Sequence, residues 1–192
     1  MSLAIETERL TLRLRDERDA VWYRELIAER GEDMPSLEEA TRRLARFRDL
    51  TTEIGIGALA IGRRVEGDVI GYCALVVGRC SLDEPEIAFE LLRRFHGHGY
   101  ATEAARALVD AAAATGRHRL WATVRPWNAA SLRVLEKIGF RRDHTTPDGQ
   151  GDVVYMVRDL EGARHGPDAA SSDEHRLGPA ARPAGASDIR SL

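Results

Sequence analysis

Two glycines, Gly97 and Gly99, stand one histidine apart between segments of opposite periodicity. They restrict the fold of this chain more than any other feature. Before them, Glu86-Ile-Ala-Phe-Glu-Leu-Leu92 reads as a strand. After them, residues 102–115 form an alanine-rich helix whose apolar face, Ala101, Ala105, Leu108, Val109 and Ala112, is small enough to lie close against a sheet. Glycines at such a junction let the backbone turn so that several N–H groups point into one space, and the helix that follows adds its positive end. The unit therefore predicts an anion site of diphosphate size. Arg94 at its entrance supplies a formal charge and Thr102 a hydroxyl.

The remaining pattern surrounds this unit with strands and helices. Leu10, Leu12 and Leu14 alternate with polar residues as a half-buried strand. A helix carrying Val21, Trp22, Leu26 and Ile27 ends near Gly31, and Ser36-Leu-Glu-Glu39 reads as a capping box that opens a second helix. Residues 56–64 and 69–78 form a hairpin across Glu66-Gly-Asp68, and 86–92 continues the meander. The strand Arg119-Leu-Trp-Ala-Thr-Val124 leads to a short helix, 129–138, capped by Asn128 and ended by Gly139. A last hairpin pairs 140–144 with 153–158 over the turn 147–151. The expected class is α+β, with mixed α/β order, in one domain spanning residues 1–160.

Composition narrows the classes. The 192 residues are 43% hydrophobic and 31% charged, which suits a globular chain and excludes collagen-like and wholly disordered ones. Net charge is -3, so the chain is not built mainly to coat nucleic acid. No apolar run approaches the roughly 20 residues of a membrane span. Cys73 and Cys80 are too few for a disulfide framework and lack metal-ligand spacing. The opening MSLAIETERL has no apolar signal core, and the expected location is cytoplasmic. Residues 161–192 hold only Leu177, Ile189 and Leu192 as large aliphatics and read as a low-complexity, disordered tail. Lys137 is the only lysine; every other basic residue is arginine.

Other phosphate loops fit poorly. There is no G-x-x-x-x-G-K-[ST], and the third glycine of a dinucleotide fingerprint is missing. Arg94-x-x-Gly97-x-Gly99, preceded by Glu86-Ile-Ala-Phe-Glu-Leu-Leu and followed by Tyr100-Ala-Thr-Glu-Ala104, resembles the acetyl-CoA motif of the GNAT acyltransferase superfamily. Asn128-Ala-Ala-Ser131-Leu-Arg-Val-Leu-Glu-Lys-Ile-Gly-Phe140 is similar to that superfamily's next motif. Glu6-Thr-Glu-Arg-Leu-Thr-Leu-Arg13, with Asp16 after it, resembles the first strand of the Rim-type (RimJ/RimL-like) ribosomal-protein N-acetyltransferases. The three motifs stand in the right order and cover about residues 5–160.

The resemblance implies a GNAT fold: a mixed, mostly antiparallel sheet of about seven strands, flanked by about four helices, whose fourth and fifth strands splay apart. Here those strands are 85–92 and 119–124. The pantetheine arm of acetyl-CoA would pair with backbone near Leu91 and Leu92. The diphosphate would rest on N–H groups of His96, Gly97, His98, Gly99, Tyr100 and Ala101, beside Arg94 and Thr102. Asn128 would cap its helix and bond the cofactor's amides.

An amine must lose a proton before it attacks a thioester at neutral pH, so a base is required. Glu86, Ala88 and Glu90 share a strand face, and either carboxylate could look into the cleft or simply face helix arginines. By similarity Glu86 is the first choice, acting through water, and Glu90 the second. Ser131 matches the serine that Rim-type enzymes offer as the acid to the leaving thiolate. His96 and His98 are expected to face solvent or cofactor, with no metal. Trp22, Trp121 and Trp127 are expected mainly to pack, with one of them free to wall the acceptor site.

The implied activity is transfer of acetyl from acetyl-CoA to a primary amine, either a protein amino terminus or a small molecule. The second reading is a catalytically silent CoA-binding module of the same fold, and a nucleotide-binding protein is a third. The polar segments 31–36 and 145–151, with Glu32, Asp33 and Asp148, would face the acceptor. A homodimer is a further partner left open at this point.

Overall fold

The computed structural model describes residues 4–160; the segment 161–192 lies outside the described residues. Twelve regular elements follow one another. They are β1 (Ala4–Glu6), β2 (Leu10–Leu14), α1 (Ala20–Glu29), α2 (Leu37–Ile54), β3 (Ala58–Arg63), β4 (Val69–Val76), β5 (Glu86–Leu91), α3 (Tyr100–Ala114), β6 (Arg119–Val124), α4 (Ala129–Lys137), β7 (Arg141–Asp148) and β8 (Gly151–Asp159). Short 3₁₀ turns at Glu17–Asp19 and Arg93–Phe95 precede α1 and α3.

The strands form one eight-stranded sheet in the order β1-β2-β3-β4-β5-β6-β8-β7. Eight strands rather than about seven are present, because Ala4–Glu6 pairs antiparallel with the strand of alternating leucines. The extra strand moves the splayed pair to fifth and sixth place. Each neighbouring pair is antiparallel except β5 and β6. Chain order explains the exception, since α3 carries the chain over the sheet between them.

Side-chain alternation gives the sheet two apolar faces, each with its own helices. Leu10, Leu12, Ile61, Cys73, Leu75 and Ile87 face α3 and α4, where Ala104, Ala105, Leu108, Val109 and Leu135 complete a fully buried core. The opposite face of β3 and β4 is built from Ala58, Ala60, Tyr72 and Ala74, which pack beneath Tyr23, Leu26 and Ile27 of α1 and Leu44 of α2. Small residues on that face let α1 and α2 approach closely. Truncating one of the buried leucines to alanine would cost about 2–5 kcal/mol.

Local signals set the helix ends. Ser36 Oγ accepts from the Glu39 N–H at 3.1 Å, while the Glu39 carboxylate pairs with Arg43 instead of returning to the cap, so only half of the expected capping box forms. Gly55 closes α2 at φ +73°. Asp19, almost fully buried, accepts from the Asp16 N–H, from Trp22 Nε1 and from both ends of the Arg13 guanidinium. That joins β2 to the start of α1.

The last hairpin is longer than the sequence pattern indicates, with β7 reaching Asp148 and almost wholly exposed. Its alternation was hidden because β7 is an edge strand with few apolar residues. Within β4, Gly71 lies against β5 so tightly that a Cβ would collide with the Glu90 carbonyl and stand 2.7 Å from Leu91 Cα. G71A is expected to lower stability by about 1–3 kcal/mol in urea denaturation, while G62A, whose Cβ would meet nothing nearer than 3.7 Å, should cost clearly less.

Candidate active site

β5 and β6 share one register position, Glu86 with Trp121, where the Trp121 N–H donates to the Pro85 carbonyl at 3.0 Å. Beyond it the two strands separate, so the expected splay is present. The Leu92 N–H donates to Ile70 on β4 at 3.0 Å. Backbone polar groups alternate along a strand, so those of Phe89 and Leu91 point the other way, into the gap. A cleft of about 790 Å³ opens there, bounded by β5, the Arg93–Phe95 turn, α3 and α4.

The turn into α3 has the geometry that the glycines required. Gly97 and Gly99 both sit at φ +82°, and Gly99 is the N-cap residue of α3 with no side chain to cap it. The first intrahelical bond at this end is donated by the Glu103 N–H to the Gly99 carbonyl. The N–H groups of the first turn before it have no helical partner, and their positive end faces the cleft at Tyr100, Ala101 and Thr102.

A brace from the amino-terminal segment holds this turn. The Glu103 carboxylate accepts from Thr7 Oγ1 at 2.6 Å, the Arg9 N–H at 2.9 Å and Arg9 Nε at 2.7 Å. Arg9 Nη1 donates to the His98 carbonyl at 3.1 Å, and the guanidinium lies 4.7 Å from the Tyr100 ring centre. His98 in turn stacks on Tyr100. Burial raises the Glu103 pKa, but the bonds from Thr7 and Arg9 outweigh it and hold the carboxyl below its ordinary value. These residues were read only as parts of motifs; what joins them is a contact across more than ninety positions.

Leu91, His96, Gly97, Gly99, Tyr100, Ala101, Thr102, Asn128, Ser131 and Glu90 all line the cleft. His96 Nε2 lies 2.8 Å from the Leu91 carbonyl, on the floor of the gap. Asn128 Oδ1 accepts from the Ser131 N–H at 3.1 Å, which leaves the side-chain NH₂ of Asn128 outside the cap. Glu90 is held by Arg30 from the end of α1, through Nε at 3.0 Å and Nη2, with the Tyr72 hydroxyl 3.4 Å away.

Four residues expected at the site do not line the cleft. Arg94 is drawn off by the carboxylate of Glu25 on α1, and Arg93 takes its position at the cleft wall. Leu92 is fully buried under α1. His98 contributes its carbonyl and ring to the brace. Glu86, only 6% exposed, accepts from the Arg79 N–H and from Thr123 Oγ1 at 2.7 Å beneath the β4–β5 loop. Alternation puts Glu86 and Glu90 on one face, as expected, but only the end of β5 beyond the β6 contact is open.

The cleft also contains residues the sequence reading left out: Arg30, Tyr72, Phe89, Arg93, Arg133 and Lys137. Ala130, Arg133, Val134 and Lys137 recur at three- and four-residue spacing on α4, a signal legible in the sequence. Trp127 lines the cleft as well and is 80% exposed, so it does not serve as packing. Among the described residues, no group of three or more His, Cys, Asp or Glu side chains could hold a metal ion, and no helix is long and apolar enough to cross a membrane.

Residues 9–141 match the family model described as acetyltransferase (GNAT) domain. An uncharacterized N-acetyltransferase, p20, of Bacillus licheniformis is 28% identical over 163 residues, 78% of this chain and 92% of that protein. The crystal structure of an acetyltransferase from Agrobacterium tumefaciens superposes with a TM-score of 0.68 at 28% identity, covering 82% of this chain and 95% of that one. RimL, a ribosomal L7/L12 alpha-N-protein acetyltransferase solved in complex with coenzyme A, superposes with a TM-score of 0.70, covering 83% and 99%. At 19% identity that likeness concerns the fold alone.

The brace can be tested by pH. Because the Glu103 carboxyl is held low, its contribution is complete above the unfolded value near 4.3 and is lost as pH falls through the lowered folded value. E103Q is therefore expected to lower the melting temperature at pH 7 and to converge with the unaltered protein in acid. A difference independent of pH would mean that the charge of Glu103 plays no part.

Proposed function

The chain belongs to the GNAT acetyltransferase family, and from that premise we propose that it moves the acetyl group of acetyl-CoA directly to a primary amine. The observation that carries this reading is the open gap between β5 and β6, with the edge of β5 that no strand covers on one side and an uncapped helix amino terminus at its end. Those groups suit the two halves of the cosubstrate. Its amide-bearing arm can pair with the backbone at Phe89 and Leu91 and with the Asn128 amide. Its phosphates fit the first-turn N–H groups of α3, with Arg93, Arg133 and Lys137 as the cations on the cleft wall.

Direct transfer also agrees with the state of the cysteines. Burial, and after it the carboxylates of Glu86 and Glu84, push the Cys80 thiol up to about 12. Burial raises Cys73 as well. Neither is a thiolate at neutral pH, so neither is suited to carry the acetyl group itself.

In the proposed reaction the amine nitrogen attacks the acetyl carbonyl carbon, the C–N bond forms and the C–S bond breaks. Glu90, facing the cleft, takes the amine's proton; Ser131 gives a proton to the departing sulfur and regains it from solvent. Glu86, bonded to Arg79 and Thr123, positions the junction of β5 and β6 rather than meeting substrate. This reverses the order of the two glutamates expected from sequence similarity alone.

The experiment is acetyl-CoA titration by calorimetry, followed by CoA release with a panel of amines. E90Q is expected to lower kcat by about 10²–10⁴-fold, with the loss largest at low pH, where the amine is most protonated. S131A should lower kcat with little change in acetyl-CoA affinity. Retained acetyl-CoA binding with no acetylated product from any amine would favour the silent binding module instead.

A further inference from the structure

The face of the sheet beneath α1 and α2 holds a buried charge that no described residue meets with a hydrogen bond. Arg15 follows β2 and is 2% exposed, yet none of its three side-chain nitrogens has a hydrogen-bond partner among the described residues. Its guanidinium carbon lies 5.1 Å from the Tyr23 ring centre, 5.2 Å from Phe47 and 5.3 Å from Tyr72, so α1, α2 and β4 each contribute one aromatic wall. The carboxylates of that face are already taken. Both oxygens of Asp19 bond Arg13, and Glu90 bonds Arg30. Arg13 also reaches Asp16 at 3.8 Å and Arg30 reaches Glu32 at 4.0 Å, so these two guanidinium groups have acidic partners, while Arg15, the most buried of the three, has no ion pair among the described residues.

Such a charge is costly. A guanidinium does not deprotonate, and aromatic faces replace only part of its lost hydration. Its donors point to an oxygen acceptor that arrives from elsewhere. Small side chains, buried beneath α1 and α2, lie between Arg15 and β5. The Arg15 N–H donates to the Ala58 carbonyl at 3.2 Å, Ala58 is in register with Ala74, and Ala74 with Ala88 on β5. The row next to it runs through Ala60, Tyr72 and Glu90. Tyr72 touches the Arg15 guanidinium on one side and lines the cleft on the other. One strand spacing plus one ring separates Glu90 from the guanidinium, on the order of 10 Å. That span suits a small molecule with only a few bonds between its two ends.

We propose that Arg15 anchors a carboxylate of the acceptor, so that the amine acetylated at Glu90 belongs to a small amino-acid-type molecule. This deepens the acetyltransferase reading and rests on it. A planar carboxylate can take two parallel bonds from a guanidinium, which fixes the direction in which the amine then points. The ligand would reach Arg15 past Tyr72, whose side chain must turn to admit it.

The test uses the full chain with acetyl-CoA and matched acceptors: glycine against methylamine, γ-aminobutyrate against propylamine, lysine against cadaverine. A peptide with a free amino terminus and an amidated carboxyl end is included. At least one carboxylate-bearing amine is expected to exceed its partner and the peptide in kcat/KM by about 30-fold or more. R15M should erase that preference, leave kcat/KM for the plain amine within about threefold, and keep or raise the melting temperature, because an apolar chain of similar length removes an unanswered charge. An independent measurement needs no variant: the preferred amino acid should raise the melting temperature of the unaltered protein saturably, and its decarboxylated partner should not.

Indifference to the carboxylate, an equal loss for every acceptor in R15M, or faster acetylation of the amidated peptide would each overturn the proposal. A protein that binds acetyl-CoA by calorimetry but ignores the carboxylate refutes only the role of Arg15. One that binds no acetyl-CoA refutes the acetyltransferase reading beneath it.

Discussion

Two parallel strands that touch at a single register position leave the backbone groups on their facing edges without a strand to pair with. The arrangement of this protein follows from that constraint. Buried peptide groups must be paired by protein, solvent or ligand. Here β5 satisfies one edge against β4 and opens the other, from Ala88 onward, toward a cleft. Everything that could bind lies along the opened edge: the Arg93–Phe95 turn, the uncapped start of α3, and the polar face of α4. The close approach of Gly71 keeps β5 tight against β4, so that the sheet separates on the side of β6.

Arginine chemistry then decides which of the nearby groups remain free. Most exposed pairs, such as Arg42 with Glu38, contribute little to stability, since solvent screens them and both side chains lose freedom. The pairs that matter join separate elements. Arg9 with Glu103 fixes the first strands to the glycine turn, Arg94 with Glu25 ties the Arg93–Phe95 turn before it to α1, and Arg30 with Glu90 closes α1 onto β5. The first two draw charges away from the cleft, whereas Glu90 keeps its place in the lining. Arg15, enclosed by three rings, is the exception among them.

Much of this was legible in the chain. The alternation of Leu10, Leu12 and Leu14, the alanine face of α3, the Asn128 cap and the two glycines each act within one turn or one strand, and all appear where their patterns put them. Ala4–Glu6 escaped notice because three residues hold too little pattern to count as a strand. β7 ran four residues farther than its apolar content suggested, since its length is set by pairing with β8. At the cleft, His96, Gly97, Gly99, Tyr100, Ala101 and Thr102 of the glycine turn lie together along the lining. Arg94 turns away to Glu25, because a sequence does not say which neighbour a long side chain will find, and Trp127 is the indole that stands unburied at the cleft.

By itself the sequence determined the local conformations: where the chain turns through left-handed glycine, which face of each helix is apolar, and that a glycine turn joins the fifth strand to the next helix. Short-range sterics and periodicity suffice for these. Only the tertiary structure decided that Glu90 and not Glu86 faces the cleft, that Arg93 and not Arg94 lines its wall, and that Arg15 is buried beneath two helices without a hydrogen-bond partner among the described residues. Those outcomes depend on contacts between residues tens of positions apart, such as Thr123 with Glu86 and Glu25 with Arg94. The energy of a charge is set by the groups that surround it, and the fold alone chooses them.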